Sequence, residues 1–312
     1  MKKSSKTITE ILQLISKSKR ILLACHLGPD ADSIGANLAL YQYLISVDKK
    51  PQIISSDPLP ESISFLPNYH DIKITDLAEI NPEKFDLFIS LDSSSWNMIS
   101  NSVDREHWTK PIIIIDHHPS NTKFGSLNFV VPTMSSTCEL LFNFFEAIKH
   151  RCKPDTSQCL LTGIFSDTGG FCFSGTTKET FITASKLIDR GASLQKIVFN
   201  SNQRVTVETM KYWSFVLRKM TLNKEYKYAW SIVTKNEISK SGIDKKSSGG
   251  AASMFLGNIE GTDFAFLLTE QDDGRIFGSF RSRTDVDSSV FSKALGGGGH
   301  FASSGFTLPS TL

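Results

Sequence analysis

The first half of the chain alternates short apolar runs with segments of helical periodicity. The apolar runs that predict buried strands are "RILLAC" (20–25), "PQIIS" (51–55), "FDLFISL" (85–91) and "PIIIID" (111–116). The segments with apolar side chains at helical spacing are 33–46, 138–149 and 158–165. This alternation is typical of a parallel sheet with helices on both faces, so we expect an α/β fold.

The remainder of the chain predicts a second, smaller α+β domain. Residues 178–192 have a further helical pattern that Gly191 would end, and 193–222 is a mostly helical stretch without chemical motifs. The tail contains predicted strands at 226–234, 263–270 and 275–282, and predicted helices at 251–259 and 289–295. With 312 residues, we predict a domain over 1–192, a helical linker over 193–222 and a second domain over 223–312.

Composition excludes several classes of protein. A net charge of +2 argues against a surface that coats nucleic acid, although a local basic patch remains compatible with it. The first 20 residues predict an amphipathic helix rather than a signal peptide, and no apolar stretch is long enough to span a membrane. The five cysteines form no CxxC pair, which favours reduced, buried thiols in a cytoplasmic protein.

Histidines and aspartates follow three of the predicted strands and one helix. "HLGPDADSIG" places His26, Asp30 and Asp32 after the first strand; the others are Asp92 in "LDSSS", Asp116, His117 and His118 in "IIIIDHHPSN", and Asp167 in "FSDTGGF". Parallel strands end at one edge of a sheet, where α/β proteins bind ligands. We therefore expect these side chains to meet at one edge.

A metal site is the chemistry that best explains this grouping. The four carboxylates of Asp30, Asp32, Asp92 and Asp167, if crowded together, would repel one another, and two divalent cations would neutralise them. Mixed imidazole and carboxylate ligands favour Mn²⁺, Co²⁺ or Zn²⁺ over Ca²⁺, and paired metals serve phosphoryl transfer. A single Asp after a strand is more often a helix cap, and single histidines such as His70, His107 and His150 are more often solvated.

A glycine run near the end of the chain forms a second candidate site. Consecutive glycines let backbone N–H groups approach an anion, and arginine side chains suit phosphate. The candidate residues for binding substrate phosphates here are Arg281, Ser282, Arg283, Gly297, Gly298, Gly299 and His300. A flexible turn and a solvated edge strand are the simpler interpretations of the two segments.

The order of these motifs resembles the DHH phosphoesterase superfamily. "HLGPDADSIG", "LDSSS", "IIIIDHHPSN" and "FSDTGGF" are similar to its four motifs, and "SFRSRTDVD" with "GGGGHFASSGF" is similar to the DHHA1 domain. Together they resemble the family of bifunctional oligoribonucleases and phosphatases of 3′-phosphoadenosine 5′-phosphate (pAp).

The resemblance implies a ligand set for two metals, most commonly Mn²⁺. One metal would be held by His26, Asp30 and Asp92, and the other by Asp32, Asp92, His117 and Asp167, with Asp92 bridging. The resemblance also implies that Asp116 orients a ligating histidine, and that His118 faces the substrate phosphate or assists proton transfer. His118, Asp116 and Asp92 would be the catalytic group.

The function that we expect is a two-metal hydrolase of short oligoribonucleotides, of the 3′-phosphate of pAp, or of both. Its partners would be short RNA, pAp or dinucleotides. We expect no association with a membrane, and the protein could form a homodimer. The alternatives are a phosphodiesterase of linear or cyclic dinucleotides, and a non-catalytic nucleotide-binding module. The latter would lack a metal ligand, whereas every ligand position here is filled.

Overall fold

The computed structural model describes residues 2–203, 206–243, 255–299 and 301–309. The chain divides into two compact units, Met1–Arg204 and Val205–Leu312. The predicted linker, 193–222, contributes to both units. Its first helix, α6 (Leu194–Val198), belongs to the first unit and its second, α7 (Val207–Arg218), belongs to the second unit.

The first unit contains a six-stranded parallel sheet in the order β3-β2-β1-β4-β5-β6. Its strands are β1 (Arg20–Ala24), β2 (Lys50–Ser55), β3 (Lys73–Ile74), β4 (Leu87–Leu91), β5 (Ile112–Asp116) and β6 (Leu127–Val130). The strand order reverses between β1 and β4, which is where open α/β sheets form a ligand crevice. His26 and Asp92 follow these two strands closely.

One face of this sheet packs against α-helices. They are α1 (Lys2–Lys17), α2 (Ala31–Ser46), α3 (Thr137–Ala147), α4 (Pro154–Asp167) and α5 (Lys178–Asp189). Helix α2 is buried on almost every side, although Ile45 near its end is exposed. The fold class predicted from the sequence is confirmed.

The opposite face of the sheet differs from the expectation of helices on both sides. Leu22, Phe88 and Ile114 pack there against Trp96 and Trp108. Those tryptophans lie in loops with short 3₁₀ turns rather than in α-helices. The connecting segments are rich in Pro, Asn, Asp and Ser, which favour turns, and large aromatic side chains let single loop residues cover the sheet.

The second unit contains a mixed sheet in the order β11-β12-β10-β9-β8-β7. Its elements are β7 (Thr221–Asn223), β8 (Tyr228–Val233), α8 (Lys235–Ser241), β9 (Phe264–Glu270), β10 (Ile276–Ser282), α9 (Ser288–Ala294), β11 (Gly298–Gly299) and β12 (Ser303–Leu308). Helix α7 packs on β8, where Ser231 Oγ donates a 2.6 Å hydrogen bond to Val216 O. The first four residues of the predicted helix over 251–259 lie outside the described residues, and the described part is helical at 255–256.

All five thiols are free; four are buried and Cys172 is exposed. Across the described ranges, no helix combines the length and the apolar composition that crossing a bilayer requires.

Candidate metal centre

The loop after β1 brings two donor groups together through local hydrogen bonds. Asp30 Oδ1 accepts from the backbone N–H groups of Asp32 and Ser33, both at 3.0 Å, and so caps helix α2. The helix therefore begins at Ala31, two residues earlier than the sequence predicted. Asp30 serves as a cap and still directs its carboxylate towards His26, whose Nε2 lies 3.6 Å from Asp30 Oδ1.

The two histidines expected to bind metal have the same hydrogen-bond arrangement. His26 Nδ1 lies 2.8 Å from Leu27 O, and His117 Nδ1 lies 3.2 Å from Met134 O. A carbonyl only accepts, so each Nδ1 carries the proton and each Nε2 presents a lone pair. His26 Nε2 is 3.6 Å from Asp92 Oδ2, and His117 Nε2 is 3.3 Å from Asp167 Oδ2. Both rings are oriented as metal-binding histidines are.

Asp92 lies at the centre of these contacts. It follows β4 in a left-handed conformation, with φ of 59°, and only 3% of it is exposed. Its Oδ1 accepts a 2.9 Å hydrogen bond from Thr137 Oγ1 and lies 3.7 Å from His117 Nε2. Because its two oxygens face different histidines, Asp92 has the position that a bridging ligand requires.

Asp32 is held by the beginning of helix α3. Its Oδ2 accepts from Thr137 N at 2.7 Å and its Oδ1 from Cys138 N at 2.9 Å. These amides belong to the first turn of the helix, where N–H groups lack partners within the helix and favour a negative charge. Sequence reasoning missed Thr137. The only available signal was the capping sequence "SSTC" before an apolar helical pattern.

Three overlapping groups of donor atoms result. They are His26, Asp30 and Asp92; Asp32, His117 and Asp167; and Asp92, His117 and His118, and within each group the donor atoms lie within 4.8 Å of one another. Burial, with the charges of Asp92 and Asp167, raises the pKa of Asp32 well above its usual range. Burial and Asp92 raise the pKa of Asp167 to about 8. Divalent cations would relieve this repulsion, so the donor set fits a metal centre.

His118 has a carboxylate partner of its own. Its Nδ1 lies 2.7 Å from Asp116 Oδ1, and Asn121 Nδ2 donates to Asp116 Oδ2 at 2.5 Å. Burial disfavours the charged imidazolium, but the contacts with Asp116 and Asp92 outweigh it and raise the pKa of His118 to about 9. Asp116 therefore orients His118, which is expected to face the substrate and also belongs to one of the three donor groups. The side chains of Asp116 and His118 leave the same strand end and are two residues apart.

Three other histidines, His70, His107 and His150, lie outside this centre. His150 packs edge-on against Tyr43 and Phe145, and His70 packs edge-on against Tyr69. Among the described residues, neither they nor His107 belong to any donor group.

The second candidate site lies in the second unit. Gly298 and Gly299 pair with β12, and Gly297 N donates to Ser292 O at 2.7 Å. A Cβ at Gly299 would lie 2.5 Å from Ser304 Cα, so this glycine allows two backbones to approach closely. These glycines therefore allow close packing against β12, in addition to the anion binding that the sequence suggested. His300 lies outside the described residues.

Arg281 is half-buried, in a position that suits an anion-binding group. Burial lowers the pKa of its guanidinium, and within the described part of the chain it pairs with no carboxylate. Its Nη1 donates to its own neighbour, Phe280 O, at 2.8 Å. Ser282 is buried, whereas Arg283 is exposed and donates to Ile259 O at 3.2 Å.

Comparison with known families assigns both units. The profile described as "DHH family, N-terminal domain" matches residues 20–164, and the profile of the DHHA1 domain matches residues 225–311. The chain is a DHH–DHHA1 protein. The resemblance inferred from the motifs is thereby confirmed.

Relatives of this DHH–DHHA1 protein include hydrolases of nucleotides. It is 27% identical over 301 residues to the "bifunctional oligoribonuclease and PAP phosphatase NrnA" of Thermus thermophilus, covering 96% of this chain and 87% of the relative. It is 28% identical over 318 residues to the "cyclic-di-AMP phosphodiesterase PdeA" of Listeria monocytogenes, covering 96% of this chain and 46% of that protein.

A solved structure shares the fold over nearly the whole chain. It is an exopolyphosphatase-related protein from Bacteroides fragilis, with a TM-score of 0.91 and 25% sequence identity. The match covers 98% of this chain and 92% of that one.

Proposed function

We propose that this protein is a two-metal phosphoesterase that hydrolyses short oligoribonucleotides, the 3′-phosphate of pAp, or both. The observation that carries the proposal is the set of overlapping His and Asp donor groups at the carboxyl edge of the parallel sheet. The name of the Thermus thermophilus relative supports the choice of substrates.

The proposed ligands divide between two metal positions that share Asp92. His26, Asp30 and Asp92 would hold one ion, and Asp32, Asp92, His117 and Asp167 the other; Mn²⁺ is the proposed metal. When bound, the ions would supply Lewis acidity and an activated water for attack on phosphorus. The chain contributes fixed ligand orientations. The carbonyl oxygens of Leu27 and Met134 hold the rings of His26 and His117, and the Thr137 hydroxyl holds the carboxylate of Asp92.

His118 would act on the substrate with its other nitrogen. Asp116 holds Nδ1, so the ring is fixed and Nε2 is the nitrogen that we assign to the substrate. There it would contact the phosphate or give a proton to the leaving ribose oxygen. Asn121 holds Asp116 from the other side and so keeps the pair in one geometry.

The second unit would bind the substrate's phosphates. We propose that Arg281, the least solvated arginine of "SFRSR", contacts a phosphate, with Ser282, Arg283, Gly297, Gly298, Gly299 and His300 near it. A planar guanidinium gives two parallel hydrogen bonds to a phosphate. The proposed domain roles are catalysis for 1–192, connection for 193–222 and substrate binding for 223–312. The cytoplasmic location and the homodimer stay predictions.

A phosphodiesterase of linear or cyclic dinucleotides is the second candidate. The relative from Listeria monocytogenes favours it by name, although the chain spans less than half of that protein's length. Both candidates use the same centre and differ only in substrate.

One panel of substrates separates the candidates. The purified protein with Mn²⁺ is given pAp, RNA of two to five nucleotides, long single-stranded DNA, a cyclic dinucleotide and pyrophosphate. We expect release of phosphate from pAp or of mononucleotides from the short RNA. Hydrolysis of the cyclic dinucleotide alone would support the second candidate, and hydrolysis of pyrophosphate alone would contradict both.

Asp92→Asn is the variant that tests the metal centre. Asn tolerates the left-handed conformation of residue 92, which Ala does not, so the substitution removes charge without adding backbone strain. We expect loss of activity together with weaker binding of both ions in calorimetric Mn²⁺ titration. Full Mn²⁺-dependent turnover by Asp92→Asn would contradict the assignment of Asp92 as a metal ligand. If the wild-type protein hydrolyses none of the substrates in the panel, a non-catalytic nucleotide-binding module is favoured instead.

A further inference from the structure

The turn after Asp167 exposes an aromatic side chain beside the metal centre. Helix α4 ends at Asp167, and three consecutive residues then adopt left-handed conformations: Gly169, Gly170 and Phe171, with φ of 57°, 69° and 68°. Such a conformation costs energy for Phe171, since only glycine adopts it without strain. The turn therefore holds its side chains in positions that an ordinary helix end would not provide.

Phe171 fixes this turn by packing against two other aromatic side chains of the first unit. Its ring stacks on Phe181 with centroids 5.3 Å apart and lies edge-on to Phe165 at 5.9 Å. The backbone N–H of Phe171 also donates to Thr168 Oγ1 at 3.0 Å. These contacts fix the path of the chain on both sides of residue 171, and they determine where the next aromatic residue lies.

Phe173 is the side chain that this path presents to solvent. It is 52% exposed, although the backbone of the segment is well fixed: Phe173 N donates to Thr168 O at 3.0 Å. Its ring lies against Gly169, where a Cβ would come within 2.5 Å of the ring carbons. The ring is thus supported by the chain two residues after Asp167.

The donor residues of the metal centre differ in their exposure to solvent. Asp32 and Asp92 are only 1% and 3% exposed, so they are the buried donors of the centre. The side chains of Asp30 and Asp167 are 53% and 32% exposed, so solvent reaches the donor groups past these two residues. The turn that carries Phe173 begins directly after Asp167, one of these two more exposed donor residues, and the Phe173 ring lies against Gly169, two residues further along.

We propose that Phe173 stacks on the base of the nucleotide whose phosphate is at the metal centre. This inference rests on the proposed function and adds the group that selects nucleotides over phosphate esters without a base. Stacking on an aromatic ring accepts every base, because each base has a π-face, and it requires no hydrogen-bond code. The site would therefore favour short nucleotides of any sequence.

The test compares Phe173→Leu with the wild-type protein on two substrates. One is a diribonucleotide, and the other is the same compound with both bases replaced by hydrogen. We expect the substitution to raise KM for the diribonucleotide about 10-fold with little change in kcat, since binding of the base is lost and the chemistry is not. KM for the base-free compound should not change. Phe173→Trp should restore the KM for the diribonucleotide.

Phe199→Leu is the matched control, because Phe199 is 53% exposed in the same unit but belongs to another segment. It should behave as the wild-type protein does. An unchanged KM in Phe173→Leu, or an equal rise for both substrates, would overturn the inference. An equal rise would instead indicate that Phe173 shapes the metal centre. Wild-type hydrolysis of the diribonucleotide is measured first, and its absence would refute the proposed function rather than this assignment alone.

Discussion

At the scale of single residues, the metal centre depends on the groups that hold its ligands. Thr137 contacts two of the carboxylates: its hydroxyl donates to Asp92 Oδ1 and its backbone N–H to Asp32 Oδ2. Ligating carboxylates that are hydrogen-bonded in this way bind metal in a prepared geometry. The hydroxyl can be removed without removing the backbone contact, so the two contributions are separable.

Thr137→Val should weaken Mn²⁺ binding about 10-fold, because Asp92 loses its hydrogen bond while valine keeps the volume of threonine. Isothermal titration calorimetry measures the affinity. Thr156→Val is the control, since Thr156 is also buried but donates to Gln42 Oε1. Equal affinities of the two variants and the wild-type protein would show that the Thr137 hydroxyl has no part in preparing the site.

At the scale of elements, helices α2 and α4 approach closely at two glycines. A Cβ at Gly35 would lie 2.6 Å from Cys159 O, and one at Gly163 would lie 2.7 Å from Asp32 Oδ1. Asp32 belongs to α2, so the contact with α4 determines how much space its carboxylate has. Packing of the two helices and the geometry of the metal centre are therefore linked through Gly163.

Gly163→Ala should destabilise the protein by about 1–3 kcal/mol, because the added methyl group overfills a packed contact. In an unconstrained helix the same change would stabilise by up to ~1 kcal/mol. Urea unfolding gives the stability and a Mn²⁺ titration the affinity, which we also expect to fall as Asp32 is displaced. Gly175→Ala, at a position without atoms within 4 Å, is the control. A stabilised Gly163→Ala protein with unchanged affinity would contradict this account.

The beginning of β1 provides an element-scale prediction about pH. Asp86 accepts from the backbone N–H groups of Arg20 and Lys19 at 2.8 and 2.9 Å, and these bonds lower its pKa to about 2. A carboxylate whose pKa is lower in the folded state stabilises the protein above its unfolded pKa, near 4, and the contribution disappears as pH falls towards 2.

Asp86→Asn should therefore reduce the free energy of unfolding at pH 7 by about 1 kcal/mol, with solvent screening keeping the effect small. Urea unfolding of both proteins at several pH values measures the difference. It should be constant from pH 7 to 5 and should shrink below pH 4. A difference that stays the same down to pH 3 would show that the charge of Asp86 does not contribute.

At the scale of the whole molecule, the three donor groups found among the described residues all belong to the first unit. The four tryptophans are divided equally: Trp96 and Trp108 lie in the first unit, and Trp213 and Trp230 lie in the second. Replacing the latter two with Phe leaves fluorescence that reports on the first unit alone. A ligand that binds only the folded state stabilises it by mass action, by about 2.7 kcal/mol at 100 times its Kd.

Mn²⁺ should therefore raise the unfolding temperature observed through Trp96 and Trp108, and EDTA should reverse the effect. Tryptophan fluorescence during heating of the Trp213→Phe/Trp230→Phe protein measures it. The same shift in a protein that also carries Asp92→Asn would place the stabilising ion somewhere other than the proposed centre.

The strands and the donor residues were predictable because both leave local signals. Buried parallel strands require continuous apolar runs, and the four runs in the first half match β1, β2, β4 and β5. The partner of Asp116 was not predictable. Two histidines follow it directly, and only the conformation of the strand end decides which of them reaches its carboxylate.

The sequence by itself determined the fold class, the helices of the first unit, four strands of the first sheet, three strands of the second, and the residue types at the strand ends. These are local properties of the chain, whereas β3, β6, β7, β11 and β12 were not predicted. The tertiary structure decided what depends on residues distant in sequence. Helix α3 supplies the amides that hold Asp32 across 105 residues, and Gly163 leaves the space that Asp32 needs. Turns and loops cover the second face of the sheet, and the glycine run packs on β12. Contacts of this kind have no period in the sequence, so they arise only when the elements pack.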